Sequence, residues 1–217
     1  SKILFPFGMS PYHGLKDMHN RILEECSKDG KHYIYAYYED PDSTMHDYGT
    51  DHIKSNKVIN KINKLTEELC SKLDEDTVVI VTADHGHLNC EDILLSDYED
   101  LYNTLDGDVW IEGRMCSFKV KEGMHDTFVK LFNEYFGKEF ILKSKKEIID
   151  EKLFGTGEEH KLFRDSLGDY FGLAISDKFF KYSVYSTDLV SMHAGFTEDE
   201  MRIPLIIISI YFSFKFF

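Results

Sequence analysis

Three short segments carry acids and histidines at spacings that could hold a metal ion. Asp42-x-x-x-His46 lies in the first. Asp84-His85-Gly86-His87 forms the second, and His193-Ala194-Gly195 the third. Carboxylate oxygen and neutral imidazole together suit zinc, which takes three or four such ligands in tetrahedral sites. Each segment also has an ordinary reading. Asp42 could cap a helix while His46 is solvated, and His193 alone says little. Asp84-His85-Gly86 is harder to dismiss, because an apolar strand that delivers an acid and a histidine into a turn has few structural motives for doing so.

The elements that must position these residues are legible from periodicity. After Pro11, Leu15, Met18, Ile22 and Cys26 share one helical face, and Gly30 can stop that helix. Residues 32–39, HYIYAYYE, predict a strand that ends in the turn-like Asp40-Pro41-Asp42. Val58, Ile62, Leu65, Leu69 and Leu73 predict a longer amphipathic helix. Residues 77–84, TVVIVTAD, are nearly continuous in β-branched residues and predict a fully buried strand that breaks at His85-Gly86. Strand, helix, buried strand is a βαβ unit, which implies a parallel sheet covered by helices. In such sheets the site lies beyond the carboxyl ends of the strands. Asp42, His46, Asp84 and His85 fall there.

Residues 105–186 change in character. The pattern predicts a strand over 110–120 and a helix over 125–136 with Phe128, Leu131, Phe132 and Tyr135 inward. It predicts further strands at 140–142, 171–175 and 182–185, and a short helix at 145–153. This alternation suggests a small inserted α+β subdomain. Residues 203–210 return to a buried-strand composition, and the tail YFSFKFF would be an aggregation hazard if exposed.

Composition narrows the classes. The chain has 217 residues, 42% of them apolar, and a formal net charge of −14. That length supports one ordinary domain, or one domain with a small insert, and a real core. The apolar content excludes a disordered chain, and the acidity argues against binding a nucleic-acid backbone. An acidic substrate stays possible, since a metal supplies positive charge locally. Cys26, Cys70, Cys90 and Cys116 form no CxxC, which points to a reducing compartment. No signal peptide pattern opens the chain, so a cytoplasmic location is expected, although the start at Ser1 allows a processed or truncated beginning. The apolar tail is too short to span a bilayer as a helix, and no membrane partner is expected.

Together, YEDPDSTMHDYG (38–49), VVIVTADHGH (78–87) and SMHAGFTEDEMRIPLI (191–206) resemble the carboxyl-terminal part of an alkaline phosphatase superfamily enzyme, nearest the type I phosphodiesterase / nucleotide pyrophosphatase family. The resemblance covers most of the chain. It implies an α/β fold: an alkaline-phosphatase-like, mostly parallel sheet flanked by helices, partial here, with a small inserted α+β subdomain. Residues 1–104 and 187–217 would form the core and 105–186 the insert. It also implies two divalent metal ions, zinc above all. Asp42, His46 and His193 resemble the ligands of one, and Asp84 and His85 those of the other. Two such cations clamp the attacking and leaving oxygens of an in-line displacement at phosphorus. The expected substrate is a small-molecule phosphoester or nucleotide, not a nucleic-acid polymer.

The family also uses an aspartate and a Thr/Ser nucleophile from an earlier segment, which nothing in residues 1–37 resembles. Ser43, beside a ligand aspartate, is not the attacking group in this motif. The chain is therefore expected to lack the nucleophile segment and to be nearly inactive alone. His87, His52 and Tyr48 could touch the ligands or substrate, or be ordinary polar residues. Asp126, Glu158, His160 and Asp165 match no ligand spacing. Related reactions stay open: phosphomonoester hydrolysis, phosphate-transferring mutase chemistry, or a metal-binding remnant without catalysis. No sulfatase maturation signature is present.

Overall fold

The computed structural model describes residues 1–7, 11–182 and 188–209. In chain order the elements are β1 (Lys2–Leu4), α1 (Gly14–Cys26), β2 (Ile34–Ala36), α2 (Asp42–Tyr48), α3 (Ile53–Cys70), β3 (Val78–Thr82), β4 (Leu88–Asn89), β5 (Glu91–Leu94) and α4 (Glu99–Tyr102). They continue as β6 (Trp110–Glu112), β7 (Met115–Phe118), α5 (His125–Phe136), β8 (Phe140–Ser144), α6 (Lys145–Asp150), β9 (Tyr170–Ala174), β10 (Lys178–Lys181), β11 (Ser191–Met192), α7 (Glu198–Met201) and β12 (Leu205–Ser209). Two compact units result. One comprises 1–84 with 203–209, the other 85–202. Among the described residues no helix is long and apolar enough to cross a membrane.

In the first unit, α1 and α3 bury the faces their periodicity assigns. Leu15, Met18 and Leu65 pack with Leu4 and Tyr12, while Leu69 and Leu73 pack with Val79 and Ile208. β1 pairs with β2 in parallel. β3 pairs with β12 antiparallel, Thr82 opposite Leu205. The expected parallel pairing of the strands on either side of α3 is not made among the described residues. β3 is also not fully buried. Val79 packs against the helical cluster, while Ile80 is 60% exposed and, on β12, Leu205 is 69% exposed. A continuous β-branched run signals cover on both faces, and the described helices cover one.

The second unit is built on phenylalanine. Phe128, Phe132 and Phe136 repeat every four residues along α5 and are wholly buried. They meet Phe118, Phe140 and Phe180, with Phe140 and Phe180 stacked at 4.4 Å and Phe136 edge-on to Phe180 at 4.8 Å. Offset-stacked and edge-to-face rings satisfy the aromatic quadrupole while filling the core. Tyr135, expected inward, is turned outward, and its hydroxyl donates to Asp100 Oδ2 at 2.7 Å. The α5 stripe therefore runs through positions 128, 132 and 136. Beneath it lies a four-stranded antiparallel sheet in the order β6-β7-β9-β8. Gly172 on β9 lets the rings settle, since a Cβ there would stand 3.0 Å from Phe132 and 3.1 Å from Phe118.

The single strand expected over 110–120 is a hairpin, β6 and β7, broken at Gly113-Arg114. Arg114 is wholly buried. Its Nη1 donates to the Lys178 carbonyl (2.7 Å) and its Nη2 to the Ser176 carbonyl (2.8 Å) and to Glu200 Oε2 (2.6 Å). Its Nε donates to Glu200 Oε1. Residues 85–104 and 188–202 fall in the same compact unit as these strands. Leu95 and Leu101 are buried in the phenylalanine core. β5 pairs with β10 in parallel, and β4 pairs with β11 antiparallel. β10 ends at Lys181; of the strand expected at 182–185, positions 183–185 lie outside the described residues, as do position 210 and the tail YFSFKFF.

Three stability outcomes follow from this packing. Phe132→Ala removes a ring at the centre of the core and is expected to cost about 3–5 kcal/mol, read from urea unfolding. Arg114→Met leaves the Glu200 carboxylate buried without its cation and is expected to cost roughly 3–5 kcal/mol. Burial alone would raise the Glu200 pKa; hydrogen bonds from Arg114 and Thr197, the Arg114 charge and the Gly195 N–H outweigh it and hold the value below the ordinary 4.5. A depressed carboxyl stabilises the fold above its unfolded pKa and loses that contribution as pH falls through its folded one. The stability gap between the native chain and Glu200→Gln should therefore be full at neutral pH and narrow below about pH 4. A gap independent of pH would contradict the assignment.

Candidate metal centre

In the first unit, α2 carries Asp42 in its opening turn and His46 one turn on. Residues four apart share a helix face, and His46 Nε2 lies 3.4 Å from Asp42 Oδ1. Ser43 sits beside Asp42 on the same short helix. Gly49 closes α2 at φ 89°, a left-handed conformation that favours glycine. Its carbonyl accepts from the buried Ser55 Oγ at 2.6 Å. Asp84 follows β3 after one intervening residue, Ala83. Burial first, then the charges of Asp84 and Asp42, raise the Tyr37 pKa, so both acids bear on one phenol.

Tyr48 and His52 have local roles. Their rings stack at 5.3 Å, Lys54 Nζ stands 3.6 Å over the Tyr48 ring, and His52 Nδ1 accepts from the Lys54 backbone N–H at the start of α3. That arrangement combines a cation–π contact with a helix cap.

In the second unit, the motif histidines converge. His85 and His193 stack at 3.7 Å between centroids, and His87 stands 5.7 Å from His85 and 5.3 Å from His193. One ring nitrogen from each lies within 4.8 Å of the others. The β4–β11 ladder brings them together. Met192 is opposite Leu88, so the next position along each strand puts His193 across from His87.

Hydrogen bonds orient two of the rings. A carbonyl can only accept, so the contact of His85 Nδ1 with the Gly86 carbonyl at 2.9 Å makes Nδ1 the donor. In the neutral ring the lone pair is then on Nε2. His87 Nδ1 lies 2.9 Å from the hydroxyl of Ser191, which is wholly buried. Such outer partners commonly fix the tautomer and direction of metal-binding imidazoles. Ala194, next to His193, has φ 77°. A non-glycine residue in that region costs of order 1–3 kcal/mol and persists only where its surroundings impose it.

The donor set fits a divalent transition metal: three half-buried imidazoles gathered in a chain of strongly negative formal charge. The sequence motifs identified His85 and His193. They left His87 between a ligand contact and an ordinary polar residue, and the structure places it in the cluster. The available signal was the alternation His85-x-His87, which puts both side chains on one side of an extended segment. In the insert, His160 Nδ1 accepts from the Leu162 backbone and Asp126 lies in the first turn of α5. Among the described residues, Asp126, Glu158, His160 and Asp165 form no gathered donor group.

Comparisons with known proteins bear on the fold and the family. The human ectonucleotide pyrophosphatase/phosphodiesterase 5 structure superposes with TM-score 0.73 at 19% identity, covering 92% of this chain and 54% of that one. An inactive murine form of the same protein in complex with AMP gives TM-score 0.67 at 20% identity, covering 88% and 51%. Phosphonoacetate hydrolase from Sinorhizobium meliloti gives 0.57 at 18% identity, covering 86% and 47%. These likenesses establish the fold. GPI ethanolamine phosphate transferase 3 of Schizosaccharomyces pombe is 29% identical over 87 residues, which is 40% of this chain and 10% of that protein. The chain thus spans about half the length of the solved relatives and a tenth of the yeast one. The sequence profile of the type I phosphodiesterase / nucleotide pyrophosphatase family matches residues 8–161, and the chain belongs to that family.

Proposed function

We propose that this chain serves divalent-metal-dependent hydrolysis of phosphoesters, of the phosphodiesterase / nucleotide pyrophosphatase type. The observation that carries the reading is the convergence of His85, His87 and His193 in a chain of this family. The proposed ligands are Asp42, His46, Asp84, His85 and His193, for two ions, with His87 gathered beside His85 and His193 as a further donor. Carboxylate and imidazole donors without thiolate favour zinc. When bound, such ions supply Lewis-acid stabilisation of phosphoryl charge and activation of water. The chain's own residues present imidazole lone pairs. The Gly86 carbonyl sets the tautomer of His85, and Ser191 turns the ring of His87.

The proposed substrate is a small phosphoester or nucleotide. The AMP bound to the murine relative supports this class. The net charge of −14 disfavours a polymeric phosphate backbone. No hydroxyl of residues 1–37, nor Ser43, is assigned as the attacking group, so turnover by this chain alone is expected near background. Four free thiols favour a reducing, cytoplasmic setting. A second reading, transfer of the phosphoryl group to an alcohol instead of water, is favoured by the likeness to GPI ethanolamine phosphate transferase 3.

Zinc content after dialysis tests the metal assignment. The native chain is expected to retain zinc, and Asp42→Ala and His193→Ala to weaken binding at least about tenfold. A chain that holds no zinc, or variants that hold it equally well, would overturn the reading. Assays with nitrophenyl monoesters and diesters, with and without an added alcohol, separate the reactions. Substantial turnover by this chain alone would show that its residues include the nucleophile.

A further inference from the structure

We propose that Glu200 is a positioning residue for the histidine cluster, holding one histidine segment with its backbone carbonyl and the other with its carboxylate. The first contact is at Gly86, between His85 and His87. Gly86 N–H donates to the Glu200 carbonyl at 2.8 Å. The turn presses so closely on this segment that a Cβ at Gly86 would stand 1.9 Å from the Asp199 carbonyl oxygen. The second contact is at Gly195, two residues beyond His193. Gly195 N–H donates to Glu200 Oε1 at 2.8 Å. A Cβ at Gly195 would stand 2.7 Å from Glu200 Oε2 and 2.8 Å from Arg114 Nη2. Between His193 and that anchor sits Ala194, in its left-handed conformation.

The carboxylate is itself fixed from two sides. Arg114 grips both of its oxygens from the β6–β7 turn. Thr197 N–H and Oγ1–H donate to Oε2 at 3.2 and 2.5 Å. A residue that only capped the four-residue helix α7 would need the Thr197 contacts alone and could face solvent. Glu200 is 3% exposed and also holds a guanidinium and the Gly195 amide. A buried charge with this many partners specifies one arrangement of the groups around it. Here those groups are the backbones that aim His85, His87 and His193.

The ring-position arm of the test needs no metal; the affinity arm rests on the metal reading above. Ring Cε1–H resonances of His85, His87 and His193 would be recorded in the metal-free chain. Zinc affinity would be measured by competition with a chromophoric chelator. Glu200→Gln is expected to shift the three ring signals and to weaken zinc binding roughly 10- to 100-fold. Phe132→Leu, a destabilised control in the phenylalanine core, is expected to leave both unchanged. If Glu200→Gln does not fold, Thr197→Val removes a single donor to Oε2; the ring signals should move in the same sense, with zinc affinity falling about threefold. Zinc binding by the native chain, with affinity and ring signals unmoved in the folded variant, would overturn the positioning role and leave the metal reading standing. Ring signals that move in a chain that takes up no zinc would uphold positioning and remove the metal.

Discussion

The buried ion pair of Arg114 and Glu200 is the constraint on which the second unit is organised. Taking two charges out of water costs several kcal/mol for each ion, and their attraction offsets that only when the remaining donors and lone pairs are matched. Here they are. Glu200 accepts from Arg114 Nε and Nη2, from Gly195 N–H and from both donors of Thr197. Arg114 spends its other donors on the carbonyls of Lys178 and Ser176. Such a pair adds little net stability over an apolar replacement. What it adds is location. Three separate stretches of chain, around 114, 176–178 and 195–200, have to meet at one point for its groups to be satisfied.

The chemistry of the site depends on that location. Three imidazoles close together repel one another if protonated and gain nothing from packing as neutral rings that an apolar residue would not supply better. Their backbone is held in a way that carries a cost at Ala194, which has positive φ, while the close approach of the Asp199 carbonyl leaves room for nothing larger than glycine at 86. Local strain of this kind persists where the surrounding structure over-determines it. The β4–β11 pairing is only two residues long on each side. The β5–β10 pairing follows it in the chain, and the Glu200 carbonyl accepts from Gly86 just before it.

What the sequence made legible follows from how local each signal is. The bounds of α5 were readable to the residue, and Phe128 and Phe132 mark its buried face; Phe136 was not singled out, and Tyr135 misled because an aromatic ring counts as apolar until its hydroxyl finds a partner such as Asp100. The 110–120 run reads as one strand because β-rich residues dominate it, while the break at Gly113-Arg114 answers to a partner 86 residues away. The motif histidines were found by type and spacing. The convergence of His87 with His193 depends on a ladder whose strands are too short to leave a periodic pattern. Burial of β3 was overstated for another reason. Composition reports the environment that a strand is made for, and the described residues cover one face of the β3–β12 ribbon.

The unit spanning 85–202 contains both histidine segments as well as Arg114. A subdomain confined to 105–186 could be exchanged without touching the histidines. Arg114 lies inside that stretch, yet its guanidinium meets the acid that fixes both histidine segments outside it. His87 and Ser191, which hydrogen-bond directly, are 104 residues apart in sequence. Closing so long a loop costs conformational entropy that grows slowly with length, and a rigid core that sets the distance between its ends recovers order that two-residue strands cannot. The phenylalanine core holds the four-stranded sheet, the sheet holds the β6–β7 turn, and that turn holds Arg114. Variation in the core that preserves the turn should therefore spare the site. A small change at residue 114 should reach the histidines without touching any of them.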